Sequence, residues 1–268
     1  MPDSPQTQTP GSLPANEAPD EVIQSLVRGI EVLRAFGPGN DRMTIAQAAK
    51  VAGLTRAGAR RILLTLESLG YVHSDGRDYL LTARVLELGQ GFLAQPLWQA
   101  VRPALLAVAR SLNETVSAGV LDGFDVVYTI RVRSSRILQL ELRAGARLPA
   151  HASSTGRMLL AALPPAALDR YFRYATFTRF TKRTVIDPTI LRKRLQEARS
   201  QGWCQVRDEM EEGICGVAVP LLDRKGRIVA ALNVSTNSDR TNVRAVKNTI
   251  VPALRAAAES IRKELTAL

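Results

Sequence analysis

Thr44-Ile45-Ala46-Gln47-Ala48-Ala49-Lys50-Val51-Ala52-Gly53-Leu54-Thr55-Arg56-Ala57-Gly58-Ala59-Arg60-Arg61-Ile62-Leu63 is the stretch whose reading decides the fold. Thr44 and Gln47 have capping-box spacing, in which a hydroxyl and an amide satisfy the orphan N–H groups of a helix start. A short helix through Val51 follows, and Ala52-Gly53-Leu54 makes the turn. Thr55 caps a second helix, expected over residues 56–69. Its Ala59, Ile62, Leu63, Leu66 and Leu69 recur at spacings of three and four, one buried stripe. Arg56, Arg60 and Arg61 project elsewhere, with Ala57 beside them. Recognition helices present base-reading side chains from this half, and arginine's planar fork matches O6 and N7 of guanine. Gly70 stops the helix, and Tyr71-Val72-His73 and Asp78-Tyr79-Leu80-Leu81 are short strands around Ser74-Asp75-Gly76-Arg77. That hairpin reads as a wing, with Arg77 at its tip near a phosphate or the minor groove, and Lys50 is a further phosphate contact. The pattern is a winged helix–turn–helix, and its partner is double-stranded DNA. A plain helical hairpin with solvated arginines would need the caps, the glycine turn and the wing to coincide. Thr44 and Thr55 are structural caps first, although a cap hydroxyl can also meet a phosphate. Gly58 is costly inside a helix by about 1 kcal/mol relative to alanine.

With 268 residues, 46% of them apolar, the chain is expected to build two cores. Residues 1–22 are rich in Pro, Thr, Gln and Ser and read as a disordered tail. No run of 18 apolar residues exists and no secretory signal is visible, so a cytoplasmic protein without a membrane partner is expected. Two cysteines, Cys204 and Cys215, make no disulfide framework, and two histidines, His73 and His151, allow no convincing metal site. The net charge of +11 is uneven. The tail carries four acids and no base, whereas residues 23–85 carry nine bases and five acids, as a polyanion-binding module should. Residues 86–268 hold 27 bases and 16 acids, which fits DNA guidance, attraction of anionic small molecules or solvated surface.

Around this module the reading gives a first helix over 25–36, with Leu26, Ile30 and Leu33 inward, ended by Gly37-Pro38-Gly39-Asn40. The winged module is assigned to residues 23–82. Thr82 caps a linker helix, assigned with its end at Pro96 to residues 83–96, with Val85, Leu88 and Phe92 on one side. Such a helix is suited to pair across a homodimer. Residues 97–268 form the second domain. An amphipathic helix carries Trp98, Val101, Leu105, Val108 and Leu112, kinked or restarted at Pro103. Strands are expected at 115–121, 126–132, 203–207, 214–222 and 228–235, and another where Leu138, Leu140 and Leu142 alternate with polar residues. Helices are expected at 154–162, 165–171, 189–201 and 243–266. Helices flanking an antiparallel sheet define an α+β class.

In the second domain, His151-Ala152-Ser153-Ser154-Thr155-Gly156 leads into a helix, and such a start attracts anions, carboxylates among them. The same residues can equally be a plain cap. Asp208, Glu209, Glu211 and Glu212 precede Gly213, either as a solvated loop or with one or two acids binding a ligand hydroxyl. Asn233 and Ser235 share one face of an apolar strand and, if buried, need polar partners that a small molecule could provide. Cys215 with His151 could be imagined as nucleophile and base, but no nucleophile elbow or orienting third residue accompanies them, so no enzyme and no catalytic residue is expected. Phosphate-loop and dinucleotide fingerprints are absent, so no cofactor is expected.

Several segments together resemble the IclR family of bacterial transcription regulators over residues 23–265, most closely the branch governing aromatic-acid catabolism. They are Ser25-Leu26-Val27-Arg28-Gly29-Ile30-Glu31-Val32-Leu33, Gly53-Leu54-Thr55-Arg56 with Arg60-Arg61-Ile62-Leu63, and Tyr79-Leu80-Leu81-Thr82 with Val85-Leu86-Glu87-Leu88-Gly89. Pro149-Ala150-His151-Ala152-Ser153, Glu211-Glu212-Gly213 and Ala230-Ala231-Leu232-Asn233-Val234-Ser235 extend the match. The resemblance implies a winged helix–turn–helix, a linker helix and a GAF-like effector domain, assembled as homodimers or homotetramers on a palindromic operator. It also implies an effector pocket from His151, Ser154, Thr155 and Gly156, from Arg207, Asp208, Glu209, Cys215 and Gly216, and from Asn233 and Ser235. The implied effector is a small aromatic or dicarboxylic acid. Arg207 departs from this branch, standing where an acid is expected with Asp208 shifted along by one, and an arginine facing the pocket would add a carboxylate partner. The alternatives are a ligand-independent DNA-binding protein whose second domain only oligomerises, and an enzyme fused to a DNA module.

Overall fold

The computed structural model describes residues 22–37, 39–134 and 143–267. The expected tail (Val22 apart) and the strand through Leu138, Leu140 and Leu142 lie outside the described residues. The chain divides into two compact units between Ala94 and Gln95.

The first unit runs α1 (Gln24–Ala35), β1 (Arg42–Met43), α2 (Ile45–Val51), α3 (Arg56–Ser68), β2 (Val72–Ser74) and β3 (Tyr79–Leu81). A 3-10 turn (Ala83–Leu86) and α4 (Glu87–Leu93) follow, so the expected linker helix starts tightly wound. The capping box at α2 is complete: Gln47 N–H donates to Thr44 Oγ at 3.3 Å and Thr44 N–H to Gln47 Oε1 at 2.8 Å. Gly53 turns the chain at φ +61°. Thr55 Oγ accepts the Gly58 N–H at 3.1 Å, and a Cβ on Gly58 would stand 3.3 Å from that hydroxyl. The glycine that propensity disfavours therefore leaves room for the cap.

Val32, Met43, Ala48, Ala59, Leu63, Val72 and Tyr79 form this unit's core. β1, which no apolar alternation announces, pairs with β3 and makes the wing sheet three-stranded, in the order β1-β3-β2. The expected stripes are wider than this core. Leu26 and Ile30 of α1 and Leu69 after α3 are exposed at 62%, 44% and 51%. Short helices cover only one side of α1, and its other apolar side opens onto a groove of about 960 Å³ with Leu54, Leu66, Leu69 and Leu88.

In the second unit, α5 (Pro96–Leu112) passes through Pro103 without a restart. Then come β4 (Thr115–Asp122), β5 (Asp125–Val132), β6 (Arg147–Pro149), α6 (Ser154–Leu160), α7 (Pro165–Tyr174) and α8 (Pro188–Gln201). The chain closes with β7 (Cys204–Arg207), β8 (Ile214–Leu222), β9 (Ile228–Asn237), α9 (Val243–Ala245), a π-helical turn (Val246–Ile250) and α10 (Val251–Ala267). The wide turn lies just before Pro252, whose ring and missing N–H would break an ordinary α-helical ladder there.

The six strands form one antiparallel sheet, β6-β5-β4-β9-β8-β7. Alternation sends Val116, Ala118, Val217, Leu232 and Val234 into a core with α5 and α10. The opposite face carries Tyr128, Ala218, Ala231 and Val206 against α6, α7 and α8. Between β4 and β5 the register slips: Ala118 faces Ile130 but Gly119 faces Tyr128. Thr129 is the extra residue of this β-bulge, and its hydroxyl donates to Ala118 O at 3.2 Å.

Candidate functional site

The middle of the α6-facing sheet surface is polar, unlike the core around it. Asn233 on β9 is buried; its Nδ2 donates to Ser154 Oγ at 2.7 Å and to Val217 O at 3.3 Å. Ser235, two residues on, donates from Oγ to Asn233 Oδ1 at 2.9 Å. Gly216 on β8 lies opposite Ser235, and a Cβ there would stand 2.6 Å from Ser154 Oγ. The glycine therefore keeps open the space over which these groups meet. A small cavity of about 40 Å³ lies there, walled by Ser154, Asn233, Ser235, Gly216, Tyr128, Leu148, Val206, Glu209, Met210 and Ile214. It combines a hydrogen-bonding floor with apolar sides, the composition of a small-molecule site.

The other candidates of this domain are distributed differently. Ser153, not Ser154, caps α6 by accepting the Gly156 N–H at 3.0 Å. Gly156 packs so closely on Ala150 that a Cβ would lie 2.3 Å from its backbone. Thr155 is buried, its Oγ 3.4 Å from the Tyr128 hydroxyl. His151 lies among aromatic rings, 5.4 Å from Phe177 and 6.1 Å from Phe180 by ring centroids, with Nε2 3.0 Å from Thr178 O. Burial pushes its pKa below the usual 6.5, against the pull of that carbonyl.

Arg207 reaches the backbone oxygens of Ser238 and Thr241, away from the cavity, and so ties the edge strand to the segment that leads into α9. Asp208, at φ +56°, accepts the Gly213 N–H at 2.8 Å and pairs with Arg183 at 2.8 Å. Glu209 lines the cavity, but both its oxygens are held by the buried Arg157, at 2.8 and 2.5 Å. Its Oε2 also accepts the Val185 N–H at 2.8 Å. The acidic run thus folds its own loop. Cys215 faces the α5/α10 core, and burial raises its thiol pKa, despite a Gln205 amide 3.2 Å from the sulfur. Burial likewise pushes Cys204 up to about 12. Tyr128, Leu148, Met210 and Ile214 were not anticipated in the wall; strand alternation marks Tyr128, but nothing local marks the others.

In the first unit Arg56, Ala57, Arg60 and Arg61 are exposed on α3, Lys50 is exposed at the end of α2, and Thr44 and Thr55 cap the two helices. The wing turns on Asp75, whose Oδ1 accepts the N–H groups of Arg77 and Asp78 at 3.1 and 2.8 Å, and Arg77 stands exposed at the tip. Among the described residues no cluster of His, Cys, Asp and Glu could hold a metal ion, and no helix is long and apolar enough to cross a membrane.

A winged helix–turn–helix joined to a GAF-like domain with a hydrogen-bonding cavity defines a DNA-binding regulator with an effector domain. Residues 25–76 match the family described as the IclR helix-turn-helix domain, and residues 93–263 match the bacterial transcriptional regulator IclR C-terminal family. The chain belongs to the IclR family of transcriptional regulators. It is 38% identical to the Pca regulon regulatory protein of Pseudomonas putida, over 91% of this chain and 85% of that one. It is 31% identical to the p-hydroxybenzoate hydroxylase transcriptional activator of Acinetobacter baylyi, over 91% and 92%. The crystal structure of an IclR homologue from Microbacterium hydrocarbonoxydans, complexed with 4-hydroxybenzoate, aligns with a TM-score of 0.81 at 28% identity, covering 91% of this chain and all of that one.

Proposed function

We propose that the second domain senses a small aromatic or dicarboxylic acid of aromatic catabolism and passes its presence to the operator-reading unit. The observation that carries this reading is the cavity under α6, where Ser154, Asn233 and Ser235 form a linked hydrogen-bonding floor between apolar walls. The named relatives support it: one regulates a pca regulon, one activates p-hydroxybenzoate hydroxylase expression, and one structure is complexed with 4-hydroxybenzoate. At about 40 Å³ the cavity has room for little more than one water. Ligand-binding pockets run to roughly 300 Å³ and above. Binding therefore needs the wall at Met210, Ile214 and Leu148 to move outward, and the ligand selects an open state over the closed one.

On the DNA side, Arg56, Arg60 and Arg61, with Ala57, read major-groove edges, Lys50 and Arg77 contact phosphate, and Thr44 and Thr55 add hydroxyls at the helix starts. The exposed leucines of α1 and α4 suit a homodimer on a palindromic site. The protein works in the cytoplasm, where its DNA is, and catalyses nothing: Cys215 is an inert core thiol and His151 is enclosed by aromatic rings. The test is thermal unfolding of the full chain against 4-hydroxybenzoate, protocatechuate, β-ketoadipate and cis,cis-muconate. At 100 times the dissociation constant one of them should stabilise the fold by about 2.7 kcal/mol. Silence across the set leaves the second domain as an oligomerisation module.

A further inference from the structure

The six-stranded sheet ends at β7, and among the described residues no strand pairs with its outer side. The hydrogen-bonding phase shows which backbone groups that edge presents. Asp208 N–H donates to Ile214 O at 2.8 Å, and Ser238 N–H donates to Gly213 O at 2.8 Å. Bonded and non-bonded pairs alternate along an antiparallel ladder. Cys204 and Val206 therefore bond inward to Ala218 and Gly216, whereas Gln205 and Arg207 turn their N–H and C=O groups outward. The Cys204 thiol, 3.9 Å from Gln205 O, is a weak donor that leaves this acceptor available.

This edge is the floor of a groove of about 930 Å³ between α8 and residues 238–243. Its two walls differ in chemistry. On the side of α8 stand Arg194 and Arg183, whose side chains are 58% and 67% exposed. Arg194 meets Glu197 at 3.2 Å and Arg183 meets Asp208 at 2.8 Å. A guanidinium carries five N–H donors, so one such pair leaves others for an incoming carboxylate. On the opposite side Trp203 packs at the margin of the α5/α10 core and Val243 is 60% exposed. Asp239 adds a negative charge to that wall, and Arg207 holds it in place through the carbonyls of Ser238 and Thr241.

We propose that this groove takes an extended acidic segment of another protein as an added edge strand. Successive side chains of a strand point to opposite faces. Alternate acids then meet Arg194 and Arg183, and the apolar residues between them pack on Trp203 and Val243. Backbone bonds to Gln205 and Arg207 supply affinity, and the two walls supply selectivity. A second copy of this chain is a poor occupant, because it carries a net charge of +11 and brings the same arginines to the same wall. For a DNA-bound regulator, such a groove holds a further protein at the operator.

The experiment is calorimetric titration of the full-length protein with an end-blocked peptide of alternating glutamate and valine, and with one in which lysine replaces glutamate. Residue-resolved hydrogen exchange is read on the same complexes, and operator affinity serves as the control for folding. The acidic peptide should bind and slow exchange at Gln205 and Arg207, but leave Val206, already bonded to β8, unchanged. The lysine peptide should bind at least about 10-fold more weakly, and Arg194→Glu should weaken the acidic peptide by about 10-fold. Gln205→Pro removes an outward N–H that β8 does not use, a position where an edge strand tolerates proline. It should abolish peptide binding and spare operator binding. Absence of binding by the acidic peptide, equal binding of both peptides, or binding that survives Gln205→Pro overturns the proposal. A smaller oligomer of Gln205→Pro in sedimentation assigns the edge to a second copy and overturns it as well. If Gln205→Pro does not fold, the exchange pattern and Arg194→Glu decide: protection elsewhere, or unchanged affinity, overturns the assignment.

Discussion

Glu209 holds two structures together. Its carboxylate grips Arg157, which is 2% exposed and also donates to His151 O at 2.6 Å, while the residue itself forms part of the cavity wall. Removing one partner of a buried pair leaves an uncompensated charge, which typically costs about 3–5 kcal/mol. Glu209→Ala should lower the unfolding free energy, read from urea titration, by an amount of that order at pH 7; a change below about 1 kcal/mol would mean that water reaches Arg157. His151 makes a second prediction from its surroundings. Burial holds its pKa below the ordinary 6.5, so the unfolded chain takes up a proton at a pH where the native one does not. Its contribution is complete above about pH 6.5, falls as the pH drops from there toward the lowered native pKa, and is flat below it. His151→Phe should therefore unfold with a weaker pH slope than wild type below pH 6.5 and a similar one above it. Equal slopes would show that the ring protonates freely in the native state.

In helix α3 the cap and the proposed base-reading side chains are different residues. Thr55 Oγ closes its first turn through the Gly58 N–H, and Arg56 and Arg60 are exposed just beyond it. Thr55→Ala should cost about 1 kcal/mol of stability and weaken all DNA sequences alike. Arg56→Ala or Arg60→Ala should leave stability unchanged but lose about 1–3 kcal/mol of discrimination at one operator position. Binding titrations on an operator and its single-base variants tell these apart. The elements legible in the sequence were those with a local physical signature: the capping box at Thr44, the glycine turns, and the alternation of β8 and β9 that places Asn233 and Ser235 on one face. What escaped depends on partners far along the chain. β1 exists because β3 offers it an edge, and Met210 and Ile214 reach the cavity because Asp208 and Glu209 bind Arg183 and Arg157 and so fold their loop. Arg207 could not be placed from its position alone, since its acceptors belong to Ser238 and Thr241. The bulge at Thr129 has the same origin: nothing in Val126 to Val132 announces it, and it reverses the face of each later residue in the strand.

At the scale of the whole molecule, the apolar surface left over by the first unit is the feature most in need of a role. Leu26, Ile30, Leu69 and Leu88 line one groove, and Leu86 on the same stretch as Leu88 is 69% exposed. A monomer seldom leaves a contiguous patch of this kind facing water. A second copy of the same unit would cover it by two-fold symmetry and set two recognition helices at a fixed spacing, which a palindromic operator requires. Because the groove includes α4, which leads directly into the effector domain, a ligand that moved this helix would change that spacing without touching DNA. Leu26→Glu combined with Leu88→Glu places charge in the groove while sparing the buried core of Val32, Ala59 and Leu63. Sedimentation should then show a smaller oligomer, and affinity for the two-half-site operator should drop far more than affinity for a single half-site. The effector domain should keep its ligand affinity, read by titration of the same variant. An unchanged oligomer with unchanged operator binding would mean that the assembly is held through the effector domain alone and that the groove serves some other contact.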